Sequence, residues 1–402
     1  MGTTVTPSAT AQAAAKRTSR KLSWNFSDRE EWIADIGYVS DAPAVLPTNS
    51  GALPNDRFML GLRLEFQGRI TMPSSGGPTV INADAPWSIM EKIDIQGYHR
   101  PRAQQEDFFN LRGVDAYTFF GMTRTRYPAF WNLVNSTLPY STSLVTTASS
   151  TQDIIFMLDI WFPPTWPGDP NFNRQQMLWS LDLPNYDKPV LTIYWGDLAS
   201  LFGSWSTAPT LTAYGSASGL PRCRVTGIFM LFGQTNLGKG FVPARTWRYF
   251  QENTTGDILN TVTQSRQYNV PRGYRMARVM AKTGVKSTVT TTGNNAYVTT
   301  SDTIFANLKF NYGTNKIIRF YQDFFAAKEA TASEYANYPR TGYMMFDFIK
   351  HGNLSQALNE EALVAGPTGD VDIFITADIT GASNQAAIFA VEELRGKPQF
   401  VS

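Results

Sequence analysis

Gly233-Gln234-Thr235-Asn236-Leu237-Gly238-Lys239-Gly240 follows an apolar run and has the spacing of a phosphate-binding loop. Such a loop cradles phosphates on backbone N–H groups, and it needs a Ser or Thr after the Lys to hold magnesium and a helix start beyond it. Here Gly240 takes the Ser/Thr place and Phe241-Val242-Pro243 is no helix start, so the segment reads as a linker. Asp169-Pro170-Asn171-Phe172-Asn173 opens like a calcium loop. Arg174 stands where that loop needs Gly, and Ser180 stands where it needs the bidentate Glu. A turn fits better, with Asn171 or Asn173 capping a helix from Arg174 to Ser180.

The other candidates are equally incomplete. His99 and His351 are the only histidines, and neither lies in a ligand-spaced cluster. Glu30 and Glu31, Glu360 and Glu361, and Glu392 and Glu393 are sequence neighbours, whereas glycosidase carboxylates must face each other across a cleft. They are expected on solvated surface. Cys223 sits between Arg222 and Arg224 at the start of an apolar run and reads as a buried, inert thiol. Trp161-Phe162-Pro163-Pro164-Thr165-Trp166 reads as a strand end packed on a neighbouring domain or subunit; the alternative is a ligand platform. The expectation is a protein that is not an enzyme, with no catalytic residue, cofactor or metal.

The elements around these segments are β-rich. The 402 residues are 13% aromatic and only 17% charged, with 23 Pro, which suits strands with large buried surfaces. A net charge of +2 does not mark the whole chain as a nucleic-acid binder. One cysteine permits no disulfide within the chain, which fits a reducing compartment. Residues 1–22 lack the apolar core of a secretory signal, and no run approaches the roughly 20 apolar residues of a membrane span. The reading is a soluble protein, at most peripheral to a membrane.

Residues 1–22 form a polar arm ending in Lys16, Arg17, Arg20 and Lys21. This arm is a solvated tail, a contact for anionic lipid, or a contact for packaged nucleic acid. Met1-Gly2-Thr3-Thr4-Val5-Thr6 matches a loosely specified myristoylation pattern.

The body repeats itself. Ile93-Asp94-Ile95 and Leu308-Lys309-Phe310 are strand patterns, and Gln105 and Gln322 precede the triplets Asp107-Phe108-Phe109 and Asp323-Phe324-Phe325. A helix-compatible run follows each triplet, then an acid inside an apolar strand: Met157-Leu158-Asp159-Ile160 and Met345-Phe346-Asp347-Phe348. Short polar segments and β-rich runs close both copies, Val190 to Trp195 and Val371 to Ile375. The same order of elements twice points to one fold used twice. The two Phe of each triplet are read as core anchors, and the Asp as a helix cap or an Arg acceptor. Phe58 to Ile70 is a long strand with Leu60, Leu62, Leu64 and Phe66 on one face and Arg63 and Glu65 on the other. Helices are expected at Gln105 to Phe119, Gln322 to Tyr335 and Asn353 to Glu361, and a loop at Gly284 to Tyr297. The expected division is an arm, 1–22; a first sandwich, 23–233; a linker, 234–240; a second sandwich, 241–394; and a tail, 395–402.

In layout this resembles the double jelly-roll major capsid proteins of tectivirus-like icosahedral viruses with an internal membrane. That resemblance rests on the order of elements from Trp24 onward, since the family has no short signature motif. It implies an all-β fold of two tandem jelly-roll β-sandwiches with a few short helices. It also implies a homotrimer whose six similar sandwiches give a pseudo-hexagonal capsomer, bacteriophage-type assembly in the host cytoplasm, and location in the virion shell. The implied partners are other copies of the chain, minor capsid proteins and the internal viral membrane through the arm, with no sequence-specific nucleic acid. The competing readings are a carbohydrate-binding or carbohydrate-active sandwich and a minor virion spike.

Overall fold

The computed structural model describes residues 26–47, 52–99, 103–123, 144–162, 181, 183–232, 247–258, 264–269, 275–286, 297–303, 305–312, 316–321, 326–329, 340–347, 363–364, 373–379 and 385–395. The first half contains β1 (Phe26–Gly37), β2 (Pro43–Val45), β3 (Met59–Thr71), β4 (Met90–His99), β5 (Gln104–Leu111), β6 (Thr151–Trp161), β7 (Tyr186–Trp195), β8 (Thr210–Thr212) and β9 (Arg222–Phe232). These make one sheet in the order β1-β9-β3-β6, with β8 added on β3, and a second in the order β5-β4-β7-β2. First and last strands lie side by side, and the middle strands alternate between the two sheets. That is the order of a jelly roll.

The second half contains β10 (Trp247–Ile258), β11 (Gln264–Asn269), β12 (Arg275–Lys286), β13 (Tyr297–Thr300), β14 (Phe305–Tyr312), β15 (Lys316–Tyr321), β16 (Tyr343–Asp347), β17 (Leu363–Val364), β18 (Ile373–Ile379) and β19 (Gln385–Arg395). Its sheets run β10-β19-β12-β16 and β11-β18-β14-β15, with β13 and β17 added on β12. Matching β1 to β10, β3 to β12, β6 to β16 and β9 to β19 makes the two orders coincide. The repeat extends to register: Arg63 on β3 faces Asp159 on β6, and Arg278 on β12 faces Asp347 on β16.

The halves share a sheet. β5 pairs in parallel with β10, with Phe109 opposite Phe250 and Asn110 opposite Gln251. One ten-stranded sheet therefore runs through both halves.

The first core shows why these strands form. Leu60, Leu62, Leu64 and Phe66 of β3 are buried, while Arg63 and Glu65 stay partly exposed, as a two-residue period requires. Ile154, Phe156, Leu158 and Ile160 of β6 and Ile93, Ile95, Leu191 and Ile193 of β4 and β7 complete the core. Phe66 stacks on Phe156 at 5.0 Å between ring centres, and Trp195 closes on Phe66 at 5.7 Å. Each such side chain contributes about 1.5–3 kcal/mol by leaving water.

Two expectations about local structure change. Gln105 to Phe119 is not one helix: β5 runs to Leu111, and helix α1 spans Gly113–Thr123. Adjacent Phe108 and Phe109 are both buried, which a regular strand would not allow, because a bulge shifts the β4–β5 register between them. Glu106 and Phe108 point inward before the bulge, and Phe109 and Leu111 after it. Asp107 is exposed within the strand and caps no helix. The Gly284 to Tyr297 loop also shrinks, because β12 continues to Lys286 and β13 begins at Tyr297.

Helix α1 is buried on nearly every side, from Gly113 to Phe120. It packs on β6 and on a 3-10 turn at Trp87–Ile89. Tyr117 stacks on Trp87 at 3.7 Å, and the Trp87 indole N–H donates to the Met157 carbonyl at 3.1 Å. Residues 326–329 are helical, within the run where a second-half helix is expected. Asp323, Phe324 and Phe325, the linker at 234–240 and the expected helices at Arg174 to Ser180 and Asn353 to Glu361 lie outside the described residues.

Candidate functional site

The outward face of the β1-β9-β3-β6 sheet is a lattice of opposite charges, positioned by strand alternation. Arg63 donates to Asp159 at 2.8 Å and to Glu30 at 3.0 Å. Arg69 grips Asp153 through two nitrogens at 2.7 and 3.0 Å, which holds that carboxyl below its usual range. Arg222 meets Asp35 at 3.0 Å, and Arg57 meets Glu31 at 2.8 Å. Exposed pairs of this kind contribute about 0–1 kcal/mol each, so they set the character of the face more than its stability. The face pairs its charges among its own side chains. Trp32 stands out from it, 61% exposed on the edge strand β1, its indole N–H donating to Asp35 at 3.0 Å.

Little here is arranged for chemistry. Among the described residues no group of three His, Cys, Asp or Glu side chains could hold a metal ion. Cys223 is buried, and burial pushes its thiol up, away from the reactive thiolate. Trp161 is 1% exposed and Phe162 2%, so neither offers a platform for a sugar ring. Glu30 and Glu31 lie on surface, each on its own Arg. Glu392 corrects the solvated reading: it is fully buried and accepts from Arg278 at 3.2 Å, because β19 is an inner strand flanked by β10 and β12.

Glu91 at the start of β4 carries a carboxyl displaced well above its usual range. Burial raises it to about 7, Asp41 and Asp197 add to the rise, and Arg112 opposes it. A carboxyl raised in the folded state binds more protons folded than unfolded. Its contribution is therefore full below the ordinary Glu range and is lost as pH rises through about 7. Glu91→Gln is expected to leave the melting temperature unchanged near pH 4. At pH 8 it should raise stability by on the order of 1 kcal/mol after discounting for partial exposure. Melting curves across that range check it, and an equal effect at both pH values would refute it.

The join between the halves is where buried charge concentrates. Lys282 on β12 is fully buried; its amine lies 2.6 Å from Asp84, in the β3–β4 connection, and 3.2 Å from Asp115, in α1. Tyr343 on β16 covers the amine, its ring centre 5.4 Å away, and its hydroxyl lies 3.5 Å from Asp115. Arg340 reaches from just before β16 to donate to the Ala83 carbonyl at 2.9 Å. Gly342 makes the turn between them with φ +78, where an added Cβ would meet the Thr283 carbonyl at 2.5 Å. Sequence reasoning passed over Asp84, Asp115 and Lys282. Each is a lone charge among apolar neighbours, and Lys282 is 198 residues from Asp84 in the chain.

The residues singled out from sequence do not converge on one site. Phe108 and Phe109 are core, Asp107 is surface, and Lys16, Arg17, Arg20 and Lys21 of the arm lie outside the described residues, as does His351.

No protein-family model and no curated protein matches this chain. Solved structures do. The STIV MCP, from Sulfolobus Turreted Icosahedral Virus, superposes with a TM-score of 0.60 at 10% identity, over 91% of this chain and 96% of that one. The chain has the double jelly-roll fold. PBCV-1 VP54, as fitted into a reconstruction of the virophage Sputnik, matches this double jelly roll with a TM-score of 0.57 at 8% identity, over 94% and 97% of the two chains. The Faustovirus major capsid protein matches with a TM-score of 0.53 at 9% identity, over 98% and 92%. Identities this low leave few side chains in common, so the likeness is one of strand order and packing.

Proposed function

We propose that this double jelly roll is a viral major capsid protein that assembles as homotrimers into an icosahedral shell. The observation that carries this reading is end-to-end similarity: both sandwiches align with capsid proteins of nearly equal length. Two similar sandwiches per chain give six in a trimer, a pseudo-hexagonal footprint that tiles a closed surface. Its work is self-association. Other copies of the chain and minor capsid proteins are the partners, and the virion shell is its location.

Lys16, Arg17, Arg20 and Lys21 are assigned to the inner side, against the viral membrane. Four charges contribute about 1 kcal/mol each toward anionic lipid, weak for one copy and cumulative across a shell.

Light scattering after gel filtration of dilute full-length protein tests the assembly. The expected result is a single species at three times the 44.8 kDa chain mass, unmoved by dilution, since obligate interfaces often bury more than about 2,000 Å². A stable monomer would overturn the capsomer reading. Removing residues 2–21 is expected to leave the trimer intact and reduce membrane-filled particles. Unchanged yield of such particles would remove the arm from the membrane.

A further inference from the structure

Two carboxyl groups and one amine sit buried together at the join. Lys282 and Asp115 are fully buried and Asp84 is 1% exposed. One amine faces two carboxyl groups. A buried pair is stabilised only when its remaining atoms find partners. One oxygen of Asp115, Oδ2, has no hydrogen-bond partner among the described residues. For a structural ion pair, the second acid brings a desolvation penalty. For a condensation reaction, the same three groups are an amine, an acid and a proton carrier.

We propose that Lys282 and Asp84 condense into an intramolecular isopeptide bond, with Asp115 as catalytic proton carrier, so that the two jelly rolls become covalently joined. Lys282 Nζ lies 2.6 Å from Asp84 Oδ2 and 3.2 Å from Asp115 Oδ1. Transfer of the Lys282 proton to a carboxylate gives the neutral amine and neutral acid that condensation requires. The Nζ lone pair then attacks Cγ of protonated Asp84. Asp115 takes a proton from the attacking nitrogen and passes it to the departing hydroxyl. A C–N bond forms, a C–O bond breaks and one water leaves. Nothing is oxidised or reduced, and no co-reactant is needed.

The site supplies what condensation lacks in solution. Fixed groups at contact distance act at an effective concentration far above any bimolecular one. The Tyr343 ring covers the amine on one side, and its hydroxyl lies beside Asp115. The product amide also replaces three buried ionisable groups by one amide and one acid, which lowers the desolvation penalty. Asp84 is the acceptor because it is nearer the amine, and Asp115 is the carrier because it is the more distant acid and lies beside the Tyr343 hydroxyl. The bond would tie the β3–β4 connection of the first jelly roll to β12 of the second, a link that assembly contacts could not pull apart.

Mass spectrometry of purified full-length protein under denaturing conditions decides this without relying on any variant to fold. The expected result is a chain lighter than its sequence by one water, together with a branched peptide joining Lys282 to Asp84 after digestion. The branched peptide separates an isopeptide from a cyclised Asp, which loses the same water without a branch. Asp115→Asn, which keeps the shape but cannot carry the proton, is expected to restore the full mass and two linear peptides. Linear peptides from aged wild-type protein would overturn the proposal. So would a branch from Lys282 to another residue, and a branch that survives Asp115→Asn would remove Asp115 from the reaction.

Discussion

Lys282→Met is expected to destabilise the double jelly roll by about 3–5 kcal/mol, the cost of breaking a buried pair by removing one partner. Until Lys282 and Asp84 condense, the amine is the cation shared by Asp84 and Asp115, and both carboxyls stay out of water when it is gone. Met matches the length of the Lys stem, so the loss reports charge rather than a cavity. Asp115→Asn added to Lys282→Met should recover a large part, because a neutral amide in place of a stranded carboxylate lowers the penalty. Urea unfolding followed by Trp fluorescence measures both. A single-variant loss under about 1 kcal/mol would mean that water reaches the cluster, and the join would then need another explanation.

Trp87→Ala is expected to cost about 3–5 kcal/mol, the range for deleting a large buried aromatic. Trp87 is fully buried, stacks on Tyr117 of α1 at 3.7 Å, and donates to the Met157 carbonyl at 3.1 Å. Removing it leaves a cavity and an unpaired carbonyl beside β6. Trp87 lies three residues after Asp84, and Tyr117 two residues after Asp115. The stack therefore also holds the two acids in place around Lys282. Trp87→Phe keeps most of the volume and loses the N–H donor, so it should fall between wild type and Ala. If Trp87→Ala melts within a few degrees of wild type, the stack is not what fixes α1 on the first core.

The buried charges explain why these two substitutions outrank any change on the outer sheet face. Arg63 with Asp159 and Arg69 with Asp153 keep their water on one side. Losing one partner there exposes the other to solvent, whereas losing Lys282 does not. Arg278 with Glu392 belongs with the buried class, although its position in the repeat is that of Arg63.

What the sequence by itself determined is the order of strands and its repetition. Alternation in Leu60, Leu62, Leu64 and Phe66 is a local signal, because a strand buried on one face writes its burial every second residue. The acid within an apolar run marks β6 and β16 for the same reason, and both occur at one register position opposite an Arg. The absence of a complete phosphate loop, calcium loop or histidine set was equally readable, since those chemistries demand fixed spacing.

Tertiary structure decided what depends on both faces or on distant partners. Helix α1 is buried almost all round, so no amphipathic period sets it apart from the strand before it. The bulge at Phe108 moves the inward face by one residue and makes two neighbours core, a choice set by pairing with β4. Glu392 reads as surface beside Glu393 and becomes interior because β10 and β12 close over its strand. Lys282 meets Asp84, 198 positions away in the chain, only after two sandwiches have folded, and no local pattern carries information about a partner that far away.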